Sequence, residues 1–205
     1  MKILFCMLSG YLLGSLSPAA LIAKIKKKNL KESGTGNLGA MNTMLIIGKK
    51  FGALVMLLDI LKAICAYKLG QALFPLWSLS GLVAGGAAVA GHVFPFYLKF
   101  KGGKGLAPFA GVMLAYDPLQ FVVIFVFAIL LMLIVNYTYV VPFSACALFP
   151  IGSAVTSGSL GVFVVTALIS LLVLFKHAGN RTRARAGEDL PVRNYIKNNL
   201  FGKGK

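Results

Sequence analysis

The sequence predicts an all-α fold: a polytopic membrane helix bundle of about seven transmembrane segments, one of them short or broken. Three observations carry this expectation. Of 205 residues, 58% are hydrophobic and 13% charged, whereas soluble domains average about 45–50% and about 25%. The apolar residues gather into runs near spanning length, which is about 20 residues. The cations lie between those runs. Lys plus Arg is 21 against 5 Asp plus Glu, a formal net charge of +16. A nucleic-acid-binding domain collects its cations on one folded face, whereas this spacing is the positive-inside bias of a membrane protein. No nucleic acid is therefore expected as a partner; membrane lipid is. Cys6, Cys65 and Cys146 sit inside apolar runs without a CxxC pair, so they read as small hydrophobes rather than disulfide or zinc ligands.

The first segment runs from Ile3 to Ala23 and ends at Lys24, Lys26, Lys27 and Lys28. It is longer than a signal-peptide core of about 7–15 residues and is followed by a basic stop, so it reads as a retained anchor. The second, Phe51 to Phe74, is interrupted by Asp59, Lys62 and Lys68. The third, Trp77 to Val93, is rich in Gly and Ala, which permits close helix contact. Leu106 to Tyr116 is only 11 residues, about 16 Å as a helix, and reads as a half-helix or the continuation of a broken one. Leu119 to Val135, Val140 to Val155 and Leu160 to Phe175 complete the set, the sixth segment carrying Pro142 and Pro150.

Orientation follows from the cations. With the amino terminus outside, the loop 24–50, the loop 94–105 and the tail from Lys176 share the inner face and hold 18 of the 21 Lys and Arg. Only Lys2, Lys62 and Lys68 fall elsewhere. This count requires the short segment to act as a crossing and places the carboxyl terminus inside. The chain reads as a single integral membrane domain over residues 1–205, with a basic cytoplasmic tail from about residue 177.

Three polar motifs meet on that face. Ser33-Gly34-Thr35-Gly36-Asn37, followed by Gly39-Ala40-Met41-Asn42, alternates glycine with hydroxyl and amide residues. Such a loop is either a solvated turn or a nest of N–H groups for an anion. The second motif runs from Gly91-His92 to Gly102-Gly103-Lys104-Gly105. It fails as a Walker A loop, yet glycines beside a lysine at a helix start suit a phosphate. Lys99 and Lys101 read as orientation charges, and His92 as a structural hydrogen-bonder. In the third, Lys176-His177-Ala178-Gly179-Asn180-Arg181-Thr182-Arg183, His177 is either a proton carrier or a helix-end cap. The arginines also suit anionic headgroups. Asp59 and Lys62 share a helix face at i, i+3 and are expected to pair as a structural ion pair. His/Asp/Glu spacing for a metal hydrolase and a GxSxG elbow are both missing.

These residues resemble the bacterial acyl-phosphate:glycerol-3-phosphate acyltransferase (PlsY) family along nearly the whole chain. The matches are Gly34-Thr35-Gly36-Asn37 with Gly39-Ala40 and Asn42; Gly91-His92, Phe94-Pro95 and Phe100 to Gly105; His177, Asn180 and Arg183; and Asp59 with Lys62. The resemblance implies transfer of an acyl group from acyl phosphate to the 1-hydroxyl of glycerol 3-phosphate. Lysophosphatidic acid and phosphate are the implied products, made for phospholipid biosynthesis without cofactor, metal or acyl-CoA, by a monomer in the bacterial inner membrane. It implies catalytic roles for His177, Asn180 and Lys104, and substrate or phosphate binding by Thr35, Gly36, Asn37, Asn42, Gly102, Gly103 and Arg183.

The sequence departs from the family pattern in three places. Leu45 replaces an Arg, Met41 replaces a Thr, and Tyr137-Thr138-Tyr139-Val140-Val141 lacks an Arg and a Ser. A divergent member with another acyl acceptor, a non-catalytic lipid- or phosphate-binding protein and a small-phosphate transporter are the competing readings. The chemistry requires proximity, a proton acceptor and charge stabilisation. His177 and a substrate phosphate both remain open as the base.

Overall fold

The computed structural model describes residues 1–185 and 192–193; within that range the side chains of Arg181 and of residues 183–185 lie outside the description. The described residues form α1 (Lys2–Ser15), α2 (Pro18–Ile25), α3 (Ala40–Ile46), α4 (Lys49–Leu73) and α5 (Ser80–Val93). A 3-10 turn (Phe96–Leu98) follows, then α6 (Leu106–Tyr116), α7 (Pro118–Val135), α8 (Val140–Ser157) and α9 (Leu160–Arg185). Five stretches are long and apolar enough to cross a membrane: Lys2–Ile25, Ser80–Leu98, Pro118–Val135, Val140–Ser157 and Leu160–Asn180. The 25-residue α4 would measure about 37 Å but carries Lys49, Lys50, Asp59, Lys62 and Lys68.

Three expectations are corrected. The first segment is broken: α1 stops at Ser15 and α2 starts afresh, with Ser17 as its N-cap accepting from the Ala20 N–H and Pro18 in the first turn. Proline lacks the N–H that would continue the ladder, and apolar composition alone hides that break. The last helix runs on to Arg185, so His177 and Asn180 sit within regular helix rather than beyond it. The loop 24–50 contains the short α3, which follows the glycine motif.

Close approach builds the bundle, and α5 is its centre. A Cβ on Gly10 or Gly14 of α1 would lie 2.0 Å from the carbonyl oxygen of Ala84 or Ala88 on α5. The pairs 10–84 and 14–88 advance together, so α1 and α5 run parallel. Gly70 on α4 meets Ser80, Gly86 on α5 meets Ile169 of α9, and Gly111 on α6 meets the Ile60 carbonyl. Without water to drive association inside lipid, such backbone contacts supply the packing energy. Phe109, Val112, Phe149 and Val173 fill the remaining core, with Phe109 and Phe149 edge to face at 5.5 Å between centroids. By contrast α7 buries only Ile124 and Ala128 and presents the rest of its apolar surface outward.

The connections sort to two ends of the bundle. Lys2 lies against Leu73–Trp77, and Gly161 against Leu79. At the other end Lys31 donates to the Leu98 carbonyl, Lys104 to Asn180, and the Arg193 N–H to Asn136 Oδ1. That last contact, with the Val192 N–H on the Asn136 carbonyl at 2.9 Å, returns a piece of the tail to the α7–α8 turn. The sequence gives no warning of it.

Candidate active site

The end that gathers the cations also gathers the three motifs, each shaped by local backbone demands. In the first, Gly34 and Gly36 have φ of 61° and 69°, a left-handed conformation that costs other residues more. Asn42, 1% exposed, organises the turn. Its Nδ2 donates to the carbonyls of Leu30 (2.8 Å), Ser33 (3.1 Å) and Asn37 (3.0 Å), and its Oδ1 accepts from the Thr35 N–H at 2.8 Å. Its hydrogen-bonding capacity is thus spent on the loop, so Asn42 holds the cradle rather than lining it. Thr35 and Gly36 are exposed and Asn37 half-exposed. Met41 and Leu45 lie one turn apart on α3, 61% and 55% exposed.

The second motif doubles back on the end of α5. After the 3-10 turn, Lys99 and Phe100 both adopt positive φ, 57° and 58°. The reversed chain then bonds to α5, the Gly102 N–H to the Val93 carbonyl and the Gly103 N–H to the His92 carbonyl, each at 3.1 Å. This corrects one expectation. The N–H groups of Gly102 and Gly103 close the loop instead of pointing at an anion. What the glycines contribute is room: a Cβ on Gly103 would sit 2.0 Å from His92 Nε2. The donors left for an anion are the first-turn N–H groups of α6, which have no partner within a helix. Pro108 in that turn has no N–H to offer, so the donors there are Leu106 and Ala107.

Lys104 precedes that turn, half-buried, and donates to Asn180 Oδ1 on α9. One turn of α9 earlier, His177 is 5% exposed, and its Nδ1 lies 2.9 Å from the Val173 carbonyl. A carbonyl only accepts, so Nδ1 carries the proton and the neutral ring keeps a bare Nε2. Lys104 acts electrostatically on His177. Lys176 caps the Phe94 ring at 5.1 Å, which ties α9 to the loop 94–105. Lys104 thus meets Asn180, with His177 one turn earlier on the same helix. Lys31, two residues before the glycine loop, donates to the Leu98 carbonyl at 3.3 Å and ties that segment to the loop 94–105. Arg183 is on α9, but its side chain lies outside the described residues.

Behind the loop, Asp59 and Lys62 pair as expected, at 2.7 Å between Oδ1 and Nζ. The sequence missed the third member: His92 Nδ1 is 3.0 Å from Lys62 Nζ and 3.2 Å from Asp59 Oδ1. All three are buried. The i, i+3 pair was visible in one helix; a partner on α5 was not. The described residues contain no group of three or more His, Cys, Asp or Glu able to hold a metal.

The pattern of a known family, described as glycerol-3-phosphate acyltransferase, matches residues 4–187. A glycerol-3-phosphate acyltransferase of Streptococcus thermophilus (strain CNRZ 1066) is 38% identical over 198 residues, covering 90% of this chain and 91% of the relative. One from Staphylococcus aureus (strain bovine RF122 / ET3-1) is 31% identical over 206 residues, covering 94% and 99%. Two solved structures of PlsY (YgiH), an integral membrane glycerol 3-phosphate acyltransferase, superpose on the fold. The glycerol 3-phosphate form has a TM-score of 0.84 at 31% identity, covering 93% of this chain and 96% of that one. The lysophosphatidic acid form gives 0.81 at 30%, covering 93% and 95%. A helical membrane bundle that gathers lysine, histidine and glycine loops at one end is thus matched at both levels, sequence and fold: the chain belongs to the glycerol-3-phosphate acyltransferase family.

Proposed function

We propose that this membrane acyltransferase takes its acyl group from acyl phosphate, passes it to the 1-hydroxyl of glycerol 3-phosphate, and releases lysophosphatidic acid and phosphate. The observation that carries the reading is the convergence of Lys104, Asn180 and His177 at the start of α6. Acyl phosphate is a mixed anhydride whose leaving group is phosphate. The ammonium of Lys104 and the first-turn N–H groups of α6 stabilise that leaving charge. The bare Nε2 of His177 accepts the proton of the attacking hydroxyl, and Asn180 orients Lys104. Thr35, Gly36 and Asn37 provide the exposed loop for the acceptor. Attack is direct, so no Ser or Cys nucleophile is needed, and no metal or cofactor enters. The site faces the cytoplasm of a bacterial inner membrane, where a water-soluble acceptor meets a lipid-borne donor, and one chain suffices.

A second reading rests on Leu45 and Met41, both exposed on α3 where the family pattern has Arg and Thr. An Arg makes bidentate contacts to phosphate that Leu cannot, so an acceptor without a phosphate ester would suit this surface. Turnover by the purified protein separates the readings. Acyl phosphate and acyl-CoA are compared as donors, and glycerol 3-phosphate, glycerol and other polyols as acceptors. Phosphate release that requires both acyl phosphate and glycerol 3-phosphate is expected. Turnover with a non-phosphorylated acceptor alone would favour the second reading, and turnover with acyl-CoA would refute the donor.

A further inference from the structure

We infer that Tyr97 is a positioning residue for Lys104: its hydroxyl fastens the loop 94–105 across the break between α1 and α2 and so fixes the loop that presents Lys104. The inference rests on the reading of Lys104 as the anion seat.

The break creates the need for an outside partner. α1 ends at Ser15, so its last carbonyls have no partner within the helix, and Pro18 has no N–H to supply one. Tyr97 Oη donates to the Ser15 carbonyl at 2.7 Å and accepts from the Ser17 N–H at 3.0 Å. A carbonyl only accepts and an N–H only donates, so the direction of both bonds is fixed. Ser17 is also the residue that caps α2. One hydroxyl thus spans the end of one helix and the start of the next. Lys62 Nζ closes the remaining gap by donating to the Leu16 carbonyl at 2.7 Å.

The loop needs such an anchor. Directly after Tyr97 and Leu98, Lys99 and Phe100 hold positive φ, which residues other than glycine keep only where their surroundings enforce it. That turn sends the chain back to α5, where the N–H groups of Gly102 and Gly103 bond to the Val93 and His92 carbonyls, one residue short of Lys104. The residues ahead of the turn are each held from outside the loop. Tyr11 Oη on α1 donates to the Phe94 carbonyl at 2.7 Å, and Lys31 Nζ to the Leu98 carbonyl. The Leu98 side chain packs against the cluster of Leu30 and Leu38 that flanks the glycine loop. The anchoring element is itself firm, because a Cβ on Gly91 of α5 would lie 2.2 Å from the Tyr11 carbonyl oxygen. Tyr97 is the anchor that makes two bonds through one atom, and it stands next to the strained turn.

The Tyr97 ring is half-exposed, so Tyr97→Phe removes the hydroxyl without opening a core cavity. A double-mutant cycle with Lys104→Ala separates a positioning role from general support of the fold, because residues that act as one unit do not add. Tyr97→Phe should lower kcat/KM for glycerol 3-phosphate by about tenfold, part of the roughly hundredfold that a 1 Å misplacement can cost. In the Lys104→Ala background the same change should cost less than about twofold. Equal losses in both backgrounds, or no loss in the parent, would overturn the inference and leave the anion seat standing. If Lys104→Ala is unimpaired, the seat fails and the inference fails with it. Hydrogen exchange read by mass spectrometry gives a test that does not depend on turnover. In Tyr97→Phe the segment 94–105 should exchange at least about tenfold faster, with α8 unchanged, as local opening requires. No change in that segment, or an equal change throughout the bundle, would contradict the role.

Discussion

Residue 45 is a Leu where the family resemblance implies an Arg, and its exposure makes that difference testable. Leu45 and Met41 share one exposed face of α3, four residues apart. Leu45→Arg places a guanidinium beside the glycine loop. It should lower the KM for glycerol 3-phosphate about tenfold, equivalent to about 1.4 kcal/mol, with kcat little changed because ground-state binding is what it adds. Met41→Thr in the same chain shortens the neighbouring side chain one turn away on α3. Steady-state kinetics of the single and double variants check this, and an unchanged KM in both removes position 45 from the site. Asn42 offers a contrasting case. Asn42→Asp cannot donate to Leu30, Ser33 or Asn37, and each buried acceptor so orphaned costs on the order of 1–3 kcal/mol. Its thermal midpoint should fall and its KM rise together, whereas Leu45→Arg should leave the midpoint alone.

Helix contacts explain which glycines the fold needs. Gly14 lies so close to Ala88 that a side chain there meets backbone, and overpacking typically costs about 1–3 kcal/mol or more. Gly179 has nothing within 4 Å of its Cβ position and sits inside α9, where Gly→Ala usually gains about 0.4–1 kcal/mol. Gly14→Leu should therefore lower the thermal midpoint in detergent and Gly179→Ala should raise it. The opposite order would mean that α1 and α5 do not pack as described. The same elements show what a sequence can and cannot convey. The 11-residue α6 begins and ends where its apolar run does, between glycine and aspartate. The break between α1 and α2 was hidden because Ser17 and Pro18 are compatible with a continuous apolar span. It becomes legible only when Lys62 and Tyr97 are seen closing it.

Across the whole molecule, the side of the membrane is a prediction of charge counting. The loops 24–50 and 94–105 and the tail from Lys176 hold 18 of 21 cations, and Lys31, Lys104 and Arg193 meet their partners at one end of the bundle. An impermeant thiol reagent added outside intact cells should fail to label a Cys replacing Thr35. Labelling there would invert the topology. That the glycine, lysine and histidine motifs share one end was legible from the placement of the cations. His92 as third partner of Asp59 and Lys62, and the spent N–H groups of Gly102 and Gly103, were not, because both depend on contacts between segments. The central claim, that an anion sits where Lys104 opens α6, is tested most directly by comparing two lysines five residues apart. Lys99 is exposed on a left-handed turn among aromatic side chains; Lys104 is half-buried against Asn180. At equal expression, Lys104→Ala should reduce kcat/KM for glycerol 3-phosphate by one to two decades, about 1.5–3 kcal/mol for a lost charge-assisted contact, while Lys99→Ala stays near the parent value. Equal losses in the two variants would contradict the account.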